Sequence, residues 1–122
     1  MAVPHILLVE DSALVSEALR VLFEETGHRV TIAASAAEAI EAGSLEIPDV
    51  MLLDLGLPDA DGLTVLEALS ARRRAPRRTI ALTGDGDEAT MRRCREAGCD
   101  EVLLKPVPPR ELLRKVGAWA AG

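Results

Sequence analysis

Four short apolar runs punctuate the chain: His5-Ile6-Leu7-Leu8-Val9, Val50-Met51-Leu52-Leu53, Thr79-Ile80-Ala81-Leu82 and Val102-Leu103-Leu104. None alternates with polar residues, which is the pattern of strands covered on both faces. A fifth run, Val30-Thr31-Ile32-Ala33, alternates more and suits an edge strand. Helical segments are predicted between them, over residues 12–25, 36–42, 63–74, 88–97 and 109–120. Ser35 and Glu38 form an S-x-x-E capping box for the second. The third ends in arginines, which suit the negative end of a helix dipole. Gly98 is placed to end the fourth, and Pro109 to open the fifth. In the first helix, Val15, Ala18, Leu19, Leu22 and Phe23 supply a core face at helical spacing. Trp119 comes after Leu112 and Val116 at that spacing and is expected in the core, with a dimer contact second.

The strand–helix order repeats five times with short connections and no linker, repeat or low-complexity stretch. This predicts an α/β domain over residues 1–122, a doubly wound parallel sheet with helices on both faces and right-handed crossovers. In such sheets the functional crevice lies beyond the carboxyl ends of the strands.

Composition narrows the function. Phe23 and Trp119 are the only aromatics, which weakens readings built on base stacking. The net charge of −6 gives no general attraction to nucleic acid or anionic membrane, and neither is an expected partner. No run approaches the ~20 apolar residues of a membrane span, so a cytoplasmic protein is expected. Cys94 and Cys99 have no third or fourth ligand at zinc spacing and read as free, structural thiols. His5 and His28 show no phosphotransfer or metal-ligand arrangement. Arg72-Arg73-Arg74 with Arg77-Arg78 reads as a solvated helix end.

The residues just past the strand ends are more informative: Glu10-Asp11, Asp54, Thr83-Gly84 and Lys105-Pro106. Taken singly, Asp11 could be a helix cap and Asp54 a turn residue. Together they place three acids, a hydroxyl and an ammonium where the fold puts chemistry. Three carboxylates in one crevice raise each other's pKa unless a cation neutralises them, and hard oxygen donors suit Mg²⁺.

This pattern resembles the response-regulator receiver domain of two-component and phosphorelay signalling. In that family an acidic pair comes after strand 1, a phosphoacceptor Asp after strand 3, Thr or Ser after strand 4, and Lys-Pro after strand 5. Asp54-Leu55-Gly56-Leu57-Pro58-Asp59-Ala60-Asp61-Gly62 resembles the family's D-x-x-L/M-P-x-x-D-G segment, and the similarity runs from about residue 5 to residue 118. The resemblance implies a flavodoxin-like strand order 2-1-3-4-5. It also implies phosphorylation of Asp54 by a histidine kinase or histidine phosphotransfer protein, without turnover-enzyme activity. Mg²⁺ would be held by Asp11, Asp54 and the Gly56 carbonyl, with Glu10 acting through water. Thr83 and Lys105 would stabilise the transferring phosphoryl group, and Gly84 either leaves room for its donor or is a plain turn glycine. Pro106 would fix the turn at Lys105, with the family's cis bond. Gly56 and Asp85 would tune hydrolysis. The family's switch uses an aromatic three residues before the lysine, where this chain has Val102. The usual coupling is therefore expected to be weaker, with output that depends less on the face of helix 4, strand 5 and helix 5, or with a chain that mainly relays phosphate.

Leu14 and Val21 lie on a stripe beside the core face of helix 1 and are candidates for docking a kinase or phosphotransfer bundle; a broadly buried helix is the alternative. Nothing comes after helix 5, so no output domain is expected in this chain. A stand-alone regulator, a receiver segment of a hybrid kinase and a homodimer all remain compatible. An aspartyl-phosphate phosphatase would want a second acid at Gly56. A flavodoxin-like flavin binder would want a phosphate loop at Glu10-Asp11. A phosphate-independent interaction module would leave the strand-end residues unexplained.

Overall fold

A computed structural model describes residues 3–120 of the chain, with the backbone only at Ala120. The expectation of one domain over residues 1–122 therefore lies outside the described residues at both ends. The elements are β1 (His5–Val9), α1 (Ala13–Glu25), β2 (Arg29–Ala33), α2 (Ala36–Leu45), β3 (Val50–Asp54), α3 (Leu63–Ala71), β4 (Arg78–Thr83), α4 (Glu88–Ala97), β5 (Glu101–Leu104) and α5 (Pro109–Ala120). The strands form one parallel sheet in the order β2-β1-β3-β4-β5. Both the α/β class and the 2-1-3-4-5 order are as expected.

The unbroken apolar runs divide by strand parity between the two faces of the sheet. Ile6, Leu8, Val50, Leu52, Ile80 and Leu82 meet Leu19 and Phe23 of α1 and Leu112 and Val116 of α5. Leu7, Val9, Met51 and Leu53 meet Ala36 and Ala39 of α2 and Val65, Leu66 and Leu69 of α3. A smaller cluster joins Leu63, Ala81 and Cys94 on the side of α4. Each fully buried Leu, Ile or Phe contributes about 1.5–3 kcal/mol relative to exposure, so this covering of both faces is the main stabilising contribution.

Several boundaries and faces differ from expectation. The second helix does not stop at residue 42 but runs to Leu45, passing through Gly43. A Cβ there would lie 2.7 Å from Leu69 Cδ1, so the glycine serves close α2–α3 packing. The third helix stops at Ala71 rather than residue 74, because Arg73 is left-handed (φ 58°). The arginines thus lie beyond the helix, and Arg77 and Arg78 pair with Asp49 and Asp100. Ser12 caps α1, accepting from Val15 N at 3.4 Å, so Asp11 is free of that duty. The core face of α1 is Ser16, Leu19 and Phe23, whereas Val15 and Ala18 are exposed. Ser16 tolerates burial because its hydroxyl donates to Ala13 O at 3.2 Å. β5, like β2, is an edge strand, and Leu104 is exposed. The capping box is offset: Ser35 accepts from Glu38 N at 3.2 Å, while Glu38 Oε1 accepts from Ala34 N at 3.0 Å. Trp119 is half-buried against the α1–α5 core, with the Arg78 guanidinium over its ring.

Candidate functional site

The sheet register sets the site. Val9 lies opposite Leu53, Asp54 opposite Leu82, and Thr83 opposite Leu104. Backbone bonds extend the ladders by one residue: Glu10 N donates to Ala33 O at 3.0 Å, Leu55 N to Leu82 O at 3.0 Å, and Lys105 N to Thr83 O at 2.8 Å. Glu10, Asp54, Thr83 and Lys105 are therefore anchored at one end of the sheet by regular structure.

Asp54 is 3% exposed and Glu10 7%. One carboxylate oxygen from each of Glu10, Asp11 and Asp54 lies within 4.8 Å of the others. Lys105 Nζ stands 2.8 Å from Asp54 Oδ2 and 3.9 Å from Glu10 Oε2. Asp54 Oδ1 accepts from Gly56 N at 2.9 Å, and Glu10 Oε1 accepts from Ser12 N at 3.0 Å. Burial raises the Glu10 carboxyl above its ordinary value; the Asp54 charge adds to this, while the Ser12 amide and Lys105 oppose it. With all three acids ionised, one ammonium leaves the crevice two charges negative. That balance, with all-oxygen donors, matches a hard divalent cation.

The other expected site residues lie on β4, β5 and α1 and in the loops after β4 and β5. Thr83 is buried, and its Oγ1 accepts from Asp85 N at 3.0 Å. Gly84 is exposed, and a Cβ on it would meet nothing within 4 Å. The Lys105–Pro106 bond is cis. Val102 is half-buried against Leu63, Ala81 and Cys94. Leu14 is 85% exposed and Val21 52%. Leu14 borders a groove of about 700 Å³ between α1 and α5, with Val15, Ala18, Leu22, Pro106 and Val107, whose polar end is Glu10 and Lys105. Val21 is not in its lining. Cys94 and Cys99 are free thiols, and burial pushes Cys99 up to about 12.

Three residues of the loop after Asp54 have roles that the sequence does not announce. Gly62 is helical in backbone (φ −56°), yet a Cβ there would lie 2.3 Å from Asp54 O. Asp59 accepts the Ala36 and Ala37 amides at 2.8 and 3.1 Å, which holds its carboxyl below the ordinary range. Asp61 accepts from Leu63 N at 2.9 Å and pairs with Arg93 of α4. The D-G pair of the family segment marks Asp61 and Gly62 as positions, but their roles and that of Asp59 depend on partners up to 32 residues away.

The family model of the response regulator receiver domain matches residues 6–117. The chain belongs to this family. It is 35% identical to the transcriptional regulatory protein ResD of Bacillus subtilis, over 93% of this chain and 46% of ResD. With AruR of Pseudomonas aeruginosa the identity is 36%, over 93% and 48%. The chain thus spans about half the length of the curated relatives it matches. Because these are transcriptional regulatory proteins, the expected absence of a nucleic-acid partner draws no support from them. Among solved receiver domains, a CheY-like one from Methanospirillum hungatei superposes with a TM-score of 0.88 at 30% identity, covering 98% of this chain and 95% of that one. The receiver domain of the sensor histidine kinase PA1611 from Pseudomonas aeruginosa has a TM-score of 0.82 at 30% identity, covering 99% and 100%. That structure holds a magnesium ion in its active-site cleft. Among the described residues of the present receiver domain, no helix is long and apolar enough to cross a membrane.

Proposed function

We propose that this receiver domain is a phosphoacceptor switch in which Asp54 takes a phosphoryl group from a phosphohistidine donor. The observation that carries the reading is a buried Asp54 carboxylate, 2.8 Å from Lys105 Nζ and clustered with Glu10 and Asp11. An Asp54 carboxylate oxygen forms the new O–P bond as the donor's P–N bond breaks, and the departing imidazole nitrogen keeps the electron pair. Asp11, Asp54 and the Gly56 carbonyl would hold Mg²⁺, with Glu10 acting through a water. When bound, the ion supplies positive charge against the carboxylates and the phosphoryl oxygens. Lys105, the Thr83 hydroxyl and the Gly84 amide are the donors this chain offers to charge on the equatorial oxygens. The chain is then a signalling module rather than a turnover enzyme, and its donor is a histidine kinase or histidine phosphotransfer protein. Leu14 provides the apolar contact for that donor, because it stands on the rim of the groove that ends at Glu10 and Lys105.

The test is intact mass after incubation with a small phosphoryl donor and Mg²⁺, beside Asp54→Asn. A Mg²⁺-dependent gain of one phosphoryl group, absent from the variant, is the expected result. No gain in the folded protein with either a small donor or a purified kinase would sink the reading.

A further inference from the structure

The loop from Leu55 to Gly62 connects the acceptor carboxylate to α3 and carries Gly56. Its base is closed from within: Gly62 N donates to Leu55 O at 2.9 Å, and Gly56 bridges Asp61. Its apex is Leu57-Pro58-Asp59-Ala60, and Pro58 has no amide hydrogen to donate. Leu57 and Ala60 rest partly buried on the α2–α3 core, a contact without directional restraint. Among the described residues, the hydrogen bonds that tie this apex to another element are the two accepted by Asp59. They come from the Ala36 and Ala37 amides in the first turn of α2, at 2.8 and 3.1 Å. These are orphan amides of a helix start, and a carboxylate there is favoured by the helix dipole.

For α2 alone this arrangement adds to a cap that is already present. Ser35 already caps the helix through Glu38 N, and Glu38 contributes a carboxylate in the first turn. For the loop it is not redundant, because among the described residues Asp59 is the apex's only polar tether to the scaffold. Gly56 lies three residues before it, exposed, with its amide on Asp54 Oδ1.

We propose that Asp59 is a positioning residue for the cation site: it pins the loop apex to α2 and so holds the Gly56 backbone in place beside Asp54. This rests on the phosphoacceptor reading, in which the Gly56 carbonyl is a Mg²⁺ ligand. Outer partners that hold a ligand in place typically contribute about 10–100-fold in metal affinity. Asp59 acts across three bonded residues, so the lower end, on the order of tenfold, is expected.

The experiment compares the intact chain with Asp59→Ala, Asp59→Asn and Ser35→Ala. The probe is Mg²⁺ alone, titrated calorimetrically, and amide hydrogen exchange is followed without metal. Asp59→Ala is expected to weaken Mg²⁺ binding about tenfold and to speed exchange at Gly56, Ala36 and Ala37. Asp59→Asn keeps one acceptor oxygen and should fall between. Ser35→Ala removes the other cap and should lower the melting temperature while leaving Mg²⁺ affinity unchanged, which separates positioning from helix stability. Unchanged Mg²⁺ affinity in Asp59→Ala, or an equal loss in Ser35→Ala, would overturn the positioning role alone. No saturable Mg²⁺ binding by the unaltered chain would overturn the phosphoacceptor reading and this inference with it.

Discussion

Gly62→Ala sets two effects of opposite sign against each other. Gly62 has helical backbone angles (φ −56°, ψ −31°) at the N-cap of α3, and since alanine can adopt them, its lower unfolded-state entropy favours alanine over glycine by about 0.4–1 kcal/mol. Against this, the new Cβ would lie 2.3 Å from Asp54 O, 2.7 Å from Leu55 Cα and 3.1 Å from Asp54 C. Comfortable contact between such atoms is about 3.5–4.0 Å, so roughly an ångström must be recovered. All three neighbours are backbone, and no rotamer change relieves them. Overpacking of this kind costs about 1–3 kcal/mol, occasionally more. A net loss of about 1 kcal/mol is expected after that gain, or a melting temperature lower by on the order of 4 °C. Gly117→Ala is the matched control. It lies inside α5 with nothing within 4 Å of its would-be Cβ, and it should gain about 0.5–1 kcal/mol. Urea unfolding of both variants, with unchanged slopes, gives the two differences directly. If Gly62→Ala were as stable as the unaltered chain while Gly117→Ala showed its gain, close approach at Gly62 would not be the reason for glycine there.

Burial and exposure set two further outcomes. His5 is 5% exposed, with Nε2 at 2.8 Å from Thr31 Oγ1 and Nδ1 without a hydrogen-bond partner. Burial first, then Arg29, lowers its pKa from the ordinary 6.5, against the pull of Glu46 and Asp49. The unfolded chain therefore binds this proton more readily, so the stability contribution of neutral His5 is complete above about pH 6.5 and declines as pH falls through it. Unfolding free energy should rise with pH in this window by up to about 1.4 kcal/mol per unit more in the unaltered chain than in His5→Gln, and parallel pH curves would refute this. Separately, Leu14→Glu should slow phosphotransfer from a cognate phosphohistidine donor about fivefold or more, since losing an apolar anchor at an interface costs about 1 kcal/mol or more. Phosphorylation by a small donor should continue at its usual rate, and an equal loss in both assays would mean that the substitution merely damages the fold.

The parts of the fold that can be read from the chain are those governed by a period. Strand runs without alternation imply two covered faces, and each of the four unalternating runs indeed appears as a strand of the sheet. Periodicity cannot place β5 at an edge, because its burial is decided by what lies beyond it. Nor can it choose between neighbouring stripes of α1. Ser16 is buried and Val15 is not, an inversion of hydropathy tolerated because a serine hydroxyl satisfies itself on Ala13 O. The end of α3 is ambiguous in the sequence because arginines suit a helix terminus equally well inside it and just beyond it. The decisive fact is the left-handed Arg73, which no local composition announces.

The same division runs through the candidate site. Glu10, Asp54, Thr83 and Lys105 are legible because each stands at or just past the end of an apolar run, and parallel pairing carries those ends to one edge of the sheet. Their meeting is thus a consequence of register, which the strands specify. Asp59, Asp61 and Gly62 act instead across distances the chain does not encode locally: to α2, to α4 and back onto the Asp54 carbonyl. An aspartate in a loop looks alike whether it is solvated or holds two amides of a helix 22 residues upstream. A glycine with ordinary helical angles gives no conformational hint that contact, not freedom, requires it. Chemistry at the strand ends can therefore be inferred from one sequence, whereas the restraint that keeps Gly56 beside Asp54 is visible only once α2 and the loop are seen together. For that reason substitution of Asp54 tests the identity of the acceptor, and substitution of Asp59, Asp61 or Gly62 tests what holds the loop beside it.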